Sequence, residues 1–376
     1  SYSGTTTISA GTLQMGAGGI AGTLGTGAVT NNSVLAVNRS DAVALPGAIS
    51  GTGSLTKDGA GALTLSGANT YSGPTSVNAG SLVVTGSLGS TAVGVANGAA
   101  LGGTGTVAGT VTIAPGGTIA PGTSPGTLTV NQLILSAGSV LSFELGTPDV
   151  VGGPNDLIEV TGNLTLAGTL NVTDVGSFAT LPGTYRLFNY GGTLTGSSGD
   201  LAIGVVPGYS SADVSVQTSI AGQVNLMTGQ SGDLPTFFWD GGGTASDGQV
   251  SGGSGTWTNG GASFTDSSGT STSDWGPGMV IFGGTAGTVT LGENIDLRAL
   301  QFSTSGYLVE GAGFSLRPIG MTNGDPSLIR VDPGVTGTIA ADITGTAGLN
   351  KDDAGTLILT GTNTFTGGTT ITAGML

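Results

Sequence analysis

Apolar and polar residues alternate along this chain with a period of two. Leu63 and Leu65 flank the polar Thr64, and Leu357 and Leu359 keep the same two-residue spacing about the apolar Ile358. The same rhythm runs through "GTVAGTVTIAPGGTIAPGTSPGTLTV" (105–130), "NQLILSAGSVLSFEL" (131–145) and "DLIEVTGNLTLAGTLNV" (156–172). Successive side chains of a strand point to opposite faces, so the pattern predicts strands of about 4–6 residues between Gly-bearing turns. Helical 3.6-residue periodicity with capping residues is nowhere convincing. The expected fold class is all-β. Short strands at near-regular spacing suit a sandwich, a barrel or a solenoid. Length, recurrence and Gly at nearly every corner favour a β-solenoid of roughly 20 residues per coil.

Self-comparison sharpens this. Residues 49–82 align without a gap to 343–376 at a constant offset of 294 (351 − 57), with 18 of 34 positions identical. The shared positions pair Leu55 with Leu349, Lys57 with Lys351, Gly61 with Gly355, Leu63 with Leu357 and Leu65 with Leu359. They continue with Gly67 and Gly361, Asn69 and Asn363, Tyr71 and Phe365, Gly73 and Gly367, Gly80 and Gly374, and Leu82 and Leu376. A third, partial copy, "YSGTTTISAGTL", occupies 2–13. The chain thus begins inside a repeat and stops at the end of one, which reads as an excerpt of a longer protein.

Aromatic residues break the uniformity. Trp239, Trp257 and Trp275 are spaced 18 apart (257 − 239 and 275 − 257), with Phe237, Phe238, Phe264 and Phe282 among or beside them. The preceding "TGQSGDLPT" (228–236) is linker-like. The expected blocks are 1–230, an aromatic-rich segment at 231–316, and 317–376. The tryptophans read either as a ligand surface for sugars or a partner, or as core plugs, one per coil, or a clamp between blocks. The structural reading is the stronger.

Composition narrows function by exclusion. Gly is 75 of 376 residues, yet 37% of the chain is hydrophobic, so this is not a disordered Gly-rich linker. Seven basic residues against 22 acidic ones give a net charge of −15, which argues against nucleic acid and anionic membrane surfaces as partners. Cys and His are both absent. That removes a thiol nucleophile, a disulfide framework, a Ser-His-Asp triad and the commonest zinc ligand. No 18-residue apolar run is present, and the first residues lack the charged and apolar regions of a signal peptide.

At this point the strings resemble a known family. "GSLTKDGAGALTLSGANTYSGPTSVNAGSL" and its copy look like the passenger-associated repeat of bacterial autotransporters (type V secretion). The stretch 105–130, "PGTYRLFNYGGTLTG" (182–196) and the Trp-bearing 237–316 resemble other passenger patterns, so the likeness covers most of the chain. The resemblance implies a right-handed parallel β-helix at the bacterial cell surface. It implies a C-terminal outer-membrane β-barrel translocator as partner, which these residues do not include. It implies a stalk and adhesin that self-associates or attaches to host glycan or matrix, with repeats that aid folding and secretion rather than chemistry. A carbohydrate-active β-helix enzyme and a ligand-free spacer are the alternatives. An absence of Cys suits a chain threaded through a barrel.

Candidate chemistry is sparse. Lys57 and Lys351 are the only lysines, each followed by Asp (Asp58, Asp352). As chemistry they would serve as a general base or a sugar-binding cation. As structure they would sit on a solvated turn in a weak surface ion pair. Two copies near opposite ends of the chain share no active site along a solenoid, so the structural reading is preferred. Asn69 and Asn363 are expected to cap a turn or stack in a buried ladder, with Tyr71 and Phe365 filling the coil. Asp352-Asp353 is the one acidic pair adjacent in sequence, Asp156 and Glu159 are three apart, and neither pair has a His partner. "GGPND" (152–156) and "DGGGTASDG" (240–248) are imperfect echoes of a calcium-binding repeat. No catalytic, cofactor or metal residue is assigned.

Overall fold

The computed structural model describes residues 2–148, 151–176, 178, 183–210, 214–218, 222–228, 235–241, 246–276, 278–320 and 326–376. The chain forms two compact units. The first is Ser1–Thr147, Gly152–Thr180 and Arg186–Gly208, and the second is Pro148–Val151, Leu181–Tyr185 and Tyr209–Leu376. The proposed boundary near 231 lies outside the described residues.

In the first unit the chain coils through three parallel ladders. One carries Thr12–Met15, Val34–Val37, Ser54–Lys57, Thr75–Val77 and Val93–Val95. A second carries Val43–Leu45, Ala62–Leu65, Gly80–Val84, Ala99–Gly103, Thr118–Pro121, Val140–Leu145, Gly168–Asp174 and Leu201–Ile203. The third opens with Thr6–Ile8, Val29–Asn31 and Ile49–Ser50. Leu55 lies beside Thr75, one coil on. Later coils are longer, as the pairing of Thr127 with Leu157 shows. The fold is a parallel β-solenoid.

The period-two pattern explains the core. In Ser54–Lys57 and Ala62–Leu65 every second residue is buried. Leu63, Leu82, Leu101, Ile119, Leu141 and Leu170 stand in register from coil to coil, all fully buried. Burying one such side chain is worth about 2 kcal/mol, and the column repeats it at every coil.

The corner glycines have a second cause besides turn geometry. Gly47, Gly67, Gly86 and Gly105 stack through successive coils. A Cβ on Gly86 would stand 2.3 Å from the carbonyl oxygen of Gly67, and one on Gly105 2.2 Å from that of Gly86. Only a residue with no Cβ lets the backbones of adjacent coils approach this closely.

The second unit starts differently. Thr236–Trp239 pairs antiparallel with Phe264–Thr265, which pairs antiparallel with Thr272–Ser273. On its other edge Thr236–Trp239 runs parallel to Met279–Phe282. From there three parallel ladders resume, led by Met279–Phe282, Gly255–Trp257 and Ile295–Leu297. Among the described residues a single 3-10 turn, Ser198–Asp200, is the only helical element, and no helix is long and apolar enough to cross a membrane.

Candidate functional site

The repeat positions come first. Leu55, Leu63, Leu65 and Leu82 point inward and are fully buried, and Leu349 and Leu357 are 2% exposed. Leu359 and Phe365 pack at the margin of the second unit's core, and Leu376 is exposed. Gly61, Gly67, Gly73, Gly355, Gly361 and Gly367 are close-approach glycines, each within 3.0 Å, at its missing Cβ, of backbone in a neighbouring coil.

Asn69 is 1% exposed and fully used. Its Oδ1 accepts the Ile49 N–H at 3.0 Å, and its Nδ2 donates to Gly67 and Ser87 carbonyls at 2.9 and 3.0 Å. Asn363 repeats the first bond, accepting the Ile343 N–H at 3.0 Å. Tyr71 is buried and its hydroxyl bonds Thr75 Oγ1 at 2.6 Å. Burial pushes this phenol up to about 12, opposed by the Thr75 bond. The partial copy keeps the pair, Tyr2 with Thr6 at 2.6 Å. Phe365 has no hydroxyl to offer. Tyr71→Phe should therefore cost only about 1 kcal/mol in urea unfolding, the net worth of one hydrogen bond.

The lysines overturn the expected solvated turn. Lys57 and Lys351 sit on strands, Ser54–Lys57 and Leu349–Asp352, and are 0% and 1% exposed. Lys57 Nζ donates to the carbonyls of Gly59 and of Ala79, the latter at 3.0 Å. Lys351 Nζ donates to Asp352 and Asp353 carbonyls at 2.7 Å each and to Ala373 at 3.2 Å. Neither lysine forms a salt bridge among the described residues. Burial lowers both lysines from their ordinary range, with the neighbouring aspartates opposing the shift. Asp58 bonds Asn78 Nδ2 at 2.7 Å instead. The alternating register of the strand turns the lysine inward, and carbonyls of two turns replace its water.

The tryptophans do not form a surface. Trp239 and Trp257 are fully buried and Trp275 is 5% exposed. They surround Phe264, whose ring centroid lies 5.3 Å from Trp239, 5.8 Å from Trp257 and 5.4 Å from Trp275. Trp257 and Trp275 meet edge to face, 4.9 Å apart at 84°. Nor do they stand one per coil. Trp239 pairs antiparallel with Phe264, whereas Trp257 stacks on Leu291 in a different ladder. The constant spacing of 18 is not a coil period, because the chain folds back on itself before parallel stacking begins.

Of the acidic candidates, Asp156 has a role that sequence reading missed. It is 1% exposed, and its carboxylate accepts the Gly126 N–H at 2.8 Å and the Glu144 N–H at 2.7 Å. It ties one turn to the next strand, and Glu159 separately accepts Asn189 Nδ2 at 2.6 Å. Burial pushes the Asp156 carboxyl up to about 6, against the two amides, with the Glu144 charge adding to the rise. The folded chain then holds this proton more tightly than the unfolded chain. The stabilisation is full below about pH 4 and is lost as pH rises through about 6, roughly 3 kcal/mol in all. Urea midpoints of the first unit should fall across that window, and Asp156→Asn should flatten the fall. A midpoint that climbs with pH there would refute the assignment. The echo at 240–248 is partly outside the described residues, at 242–245. No group of three or more acidic, His or Cys side chains that could hold a metal ion occurs among the described residues.

Comparison with known proteins fits this scaffold. A model of the passenger-associated transport repeat matches residues 1–15, 55–84 and 349–376. Over 276 residues, 67% of this chain, the sequence is 43% identical to the adhesin BmaC autotransporter of Brucella suis biovar 1 (strain 1330). The matched stretch is 7% of that relative's length. Stacked repeat coils, three matches to the transport repeat and this long relative identify the chain as autotransporter passenger sequence, folded as a parallel β-solenoid.

Proposed function

We propose that the chain is a stalk segment of a surface-displayed adhesin, working by attachment rather than turnover. The observation that carries the reading is the 43% identity over 276 residues to an autotransporter named as an adhesin. Its setting is the outer surface of a bacterial cell, held by a C-terminal β-barrel translocator of the full protein. Its repeats aid the folding of the passenger during export.

The outer faces suit such a role. On one ladder Thr56, Ser76, Gly94, Thr112, Ile134, Thr165 and Thr195 follow one another in register. This gives a row of small, mostly hydroxyl-bearing side chains at about 4.8 Å spacing. Lys57, Lys351, Arg39 and Arg330 are buried, four of the seven basic residues, so the outer surface is strongly acidic. Attachment then runs through neutral hydroxyl rows, against another cell's copy or a host glycan or matrix, rather than through steering by opposite charge.

The test displays the passenger with its barrel on cells lacking other adhesins. Differently labelled cells should co-aggregate or bind matrix, and a deletion of residues 55–84 should lower surface display. Displayed protein that neither aggregates cells nor binds matrix, or that releases reducing sugars from polysaccharide, would sink the reading.

A further inference from the structure

The two lysines share two bonds at the same repeat offsets, and Lys351 adds one to the Asp352 carbonyl. Lys57 reaches the carbonyls two and 22 residues ahead, Gly59 and Ala79. Lys351 reaches the carbonyls two and 22 residues ahead, Asp353 and Ala373. The nearer acceptor is in the lysine's own turn and the farther one is in the turn of the following coil. Lys57 pairs with Val77, and Lys351 with Ile371, immediately before those turns. Neither Ala79 nor Ala373 carbonyl receives a backbone amide among the described residues. The next residue in each copy is a left-handed glycine, Gly80 at φ 65° and Gly374 at φ 75°. That conformation belongs to glycine and aims the preceding carbonyl inward. A Cβ on Gly374 would stand 2.8 Å from Lys351 Nζ.

We propose that Lys57 and Lys351 are latches, each closing only when the following coil arrives in the correct register. A strand slipped by one residue would turn the wrong face inward. It would also remove the second carbonyl from a buried ammonium, and an uncompensated buried charge is strongly disfavoured. The ammonium thus checks coil stacking in the two lysine-bearing copies, a role that deepens the reading of the repeats as folding elements. In the other coils the same column is apolar: Val37 precedes Lys57 and Val77 follows it. Those coils stack without the check.

Hydrogen exchange on the purified full chain tests this, independently of any display or adhesion assay. Asn78 donates to the Lys57 carbonyl and Ser81 to Gly61, and their counterparts Thr372 and Met375 donate to Lys351 and Gly355. Lys57→Met removes the charge at nearly constant length. It should speed exchange at Asn78 and Ser81 by about tenfold or more and leave Thr372 and Met375 unchanged. Lys351→Met should do the reverse, so each copy is the other's control, and either variant suffices if its partner fails to fold. Wild-type exchange rates in both variants would overturn the latch. So would acceleration spread evenly over both copies, or loss of the whole fold in both. Reduced display on deleting 55–84 together with unchanged exchange in both lysine variants would keep the folding role of the repeats and discard the latch.

Discussion

Gly61→Ala should cost about 3 kcal/mol, although Gly61 lies outside the left-handed region and alanine is the smallest possible addition. Its Cβ would stand 1.9 Å from the Asp41 carbonyl oxygen and 2.5 Å from the carbonyl carbon. Both atoms are backbone of the preceding coil, so no side chain swings aside to make room. The coils must separate, and the amide of Gly61, which donates to the Arg39 carbonyl at 2.9 Å, separates with them. Gly94→Ala is the matched control. It lies on a strand of the same unit with nothing within 4 Å of its missing Cβ. It should be neutral or stabilise by about 0.5 kcal/mol through the unfolded chain. Urea denaturation followed by far-ultraviolet circular dichroism separates the two. Equal midpoints would mean that turn flexibility, not coil spacing, selects these glycines.

Phe264→Ala should be the most damaging change in the second unit, at about 4 kcal/mol. Its ring holds Trp239, Trp257, Trp275 and Phe237 in mutual contact, with centroids between 5.3 and 6.0 Å away. Its backbone forms the middle strand of the antiparallel opening of that unit. Removal leaves a void that the tilted and edge-to-face rings cannot collapse into without giving up their contacts. All three tryptophans belong to the second unit. Tryptophan fluorescence, excited selectively over tyrosine, therefore follows that unit alone. The emission of Phe264→Ala should shift to the red at a markedly lower urea concentration, while circular dichroism retains a transition at the wild-type midpoint from the first unit. A single shared transition in the variant would show that the units unfold together.

Much of this was legible in the sequence because a solenoid repeats its physics locally. Leu63 and Leu65 announce a strand by their alternation, and the fold buries both. The repeat marks equivalent positions, so Asn69 and Asn363 share a bond that neither would reveal alone. What stays hidden depends on the direction of a side chain rather than on its type. The charge of Lys57 places it in solvent by every compositional rule, yet its strand parity turns it inward. The Gly59 carbonyl of its own turn and the Ala79 carbonyl in the turn of the following coil make that tolerable. The tryptophan spacing misleads for the opposite reason. An even interval suggests a period, but Trp239 is joined to Phe264 across an antiparallel pair that no interval of 18 encodes. Asp156 looks like the edge of a calcium motif, and its two amide partners lie 30 and 12 residues away.

The placement of the cations also bears on digestion. Serine proteases of the trypsin type cut after Lys or Arg, and they need several flanking residues in an open, extended form. This chain offers seven such positions. Lys57, Lys351 and Arg330 are on strands and at most 8% exposed. Arg186 lies within the strand Gly183–Tyr190, and the exposed Arg317 is followed by Pro318, which such enzymes do not cut before. Arg39 is clamped to Asp41 at 2.8 Å, and Arg298 sits between two strands with its guanidinium on the Gly320 carbonyl at 3.2 Å. Extracellular tryptic enzymes would find few places to begin, and each would require a coil to open first.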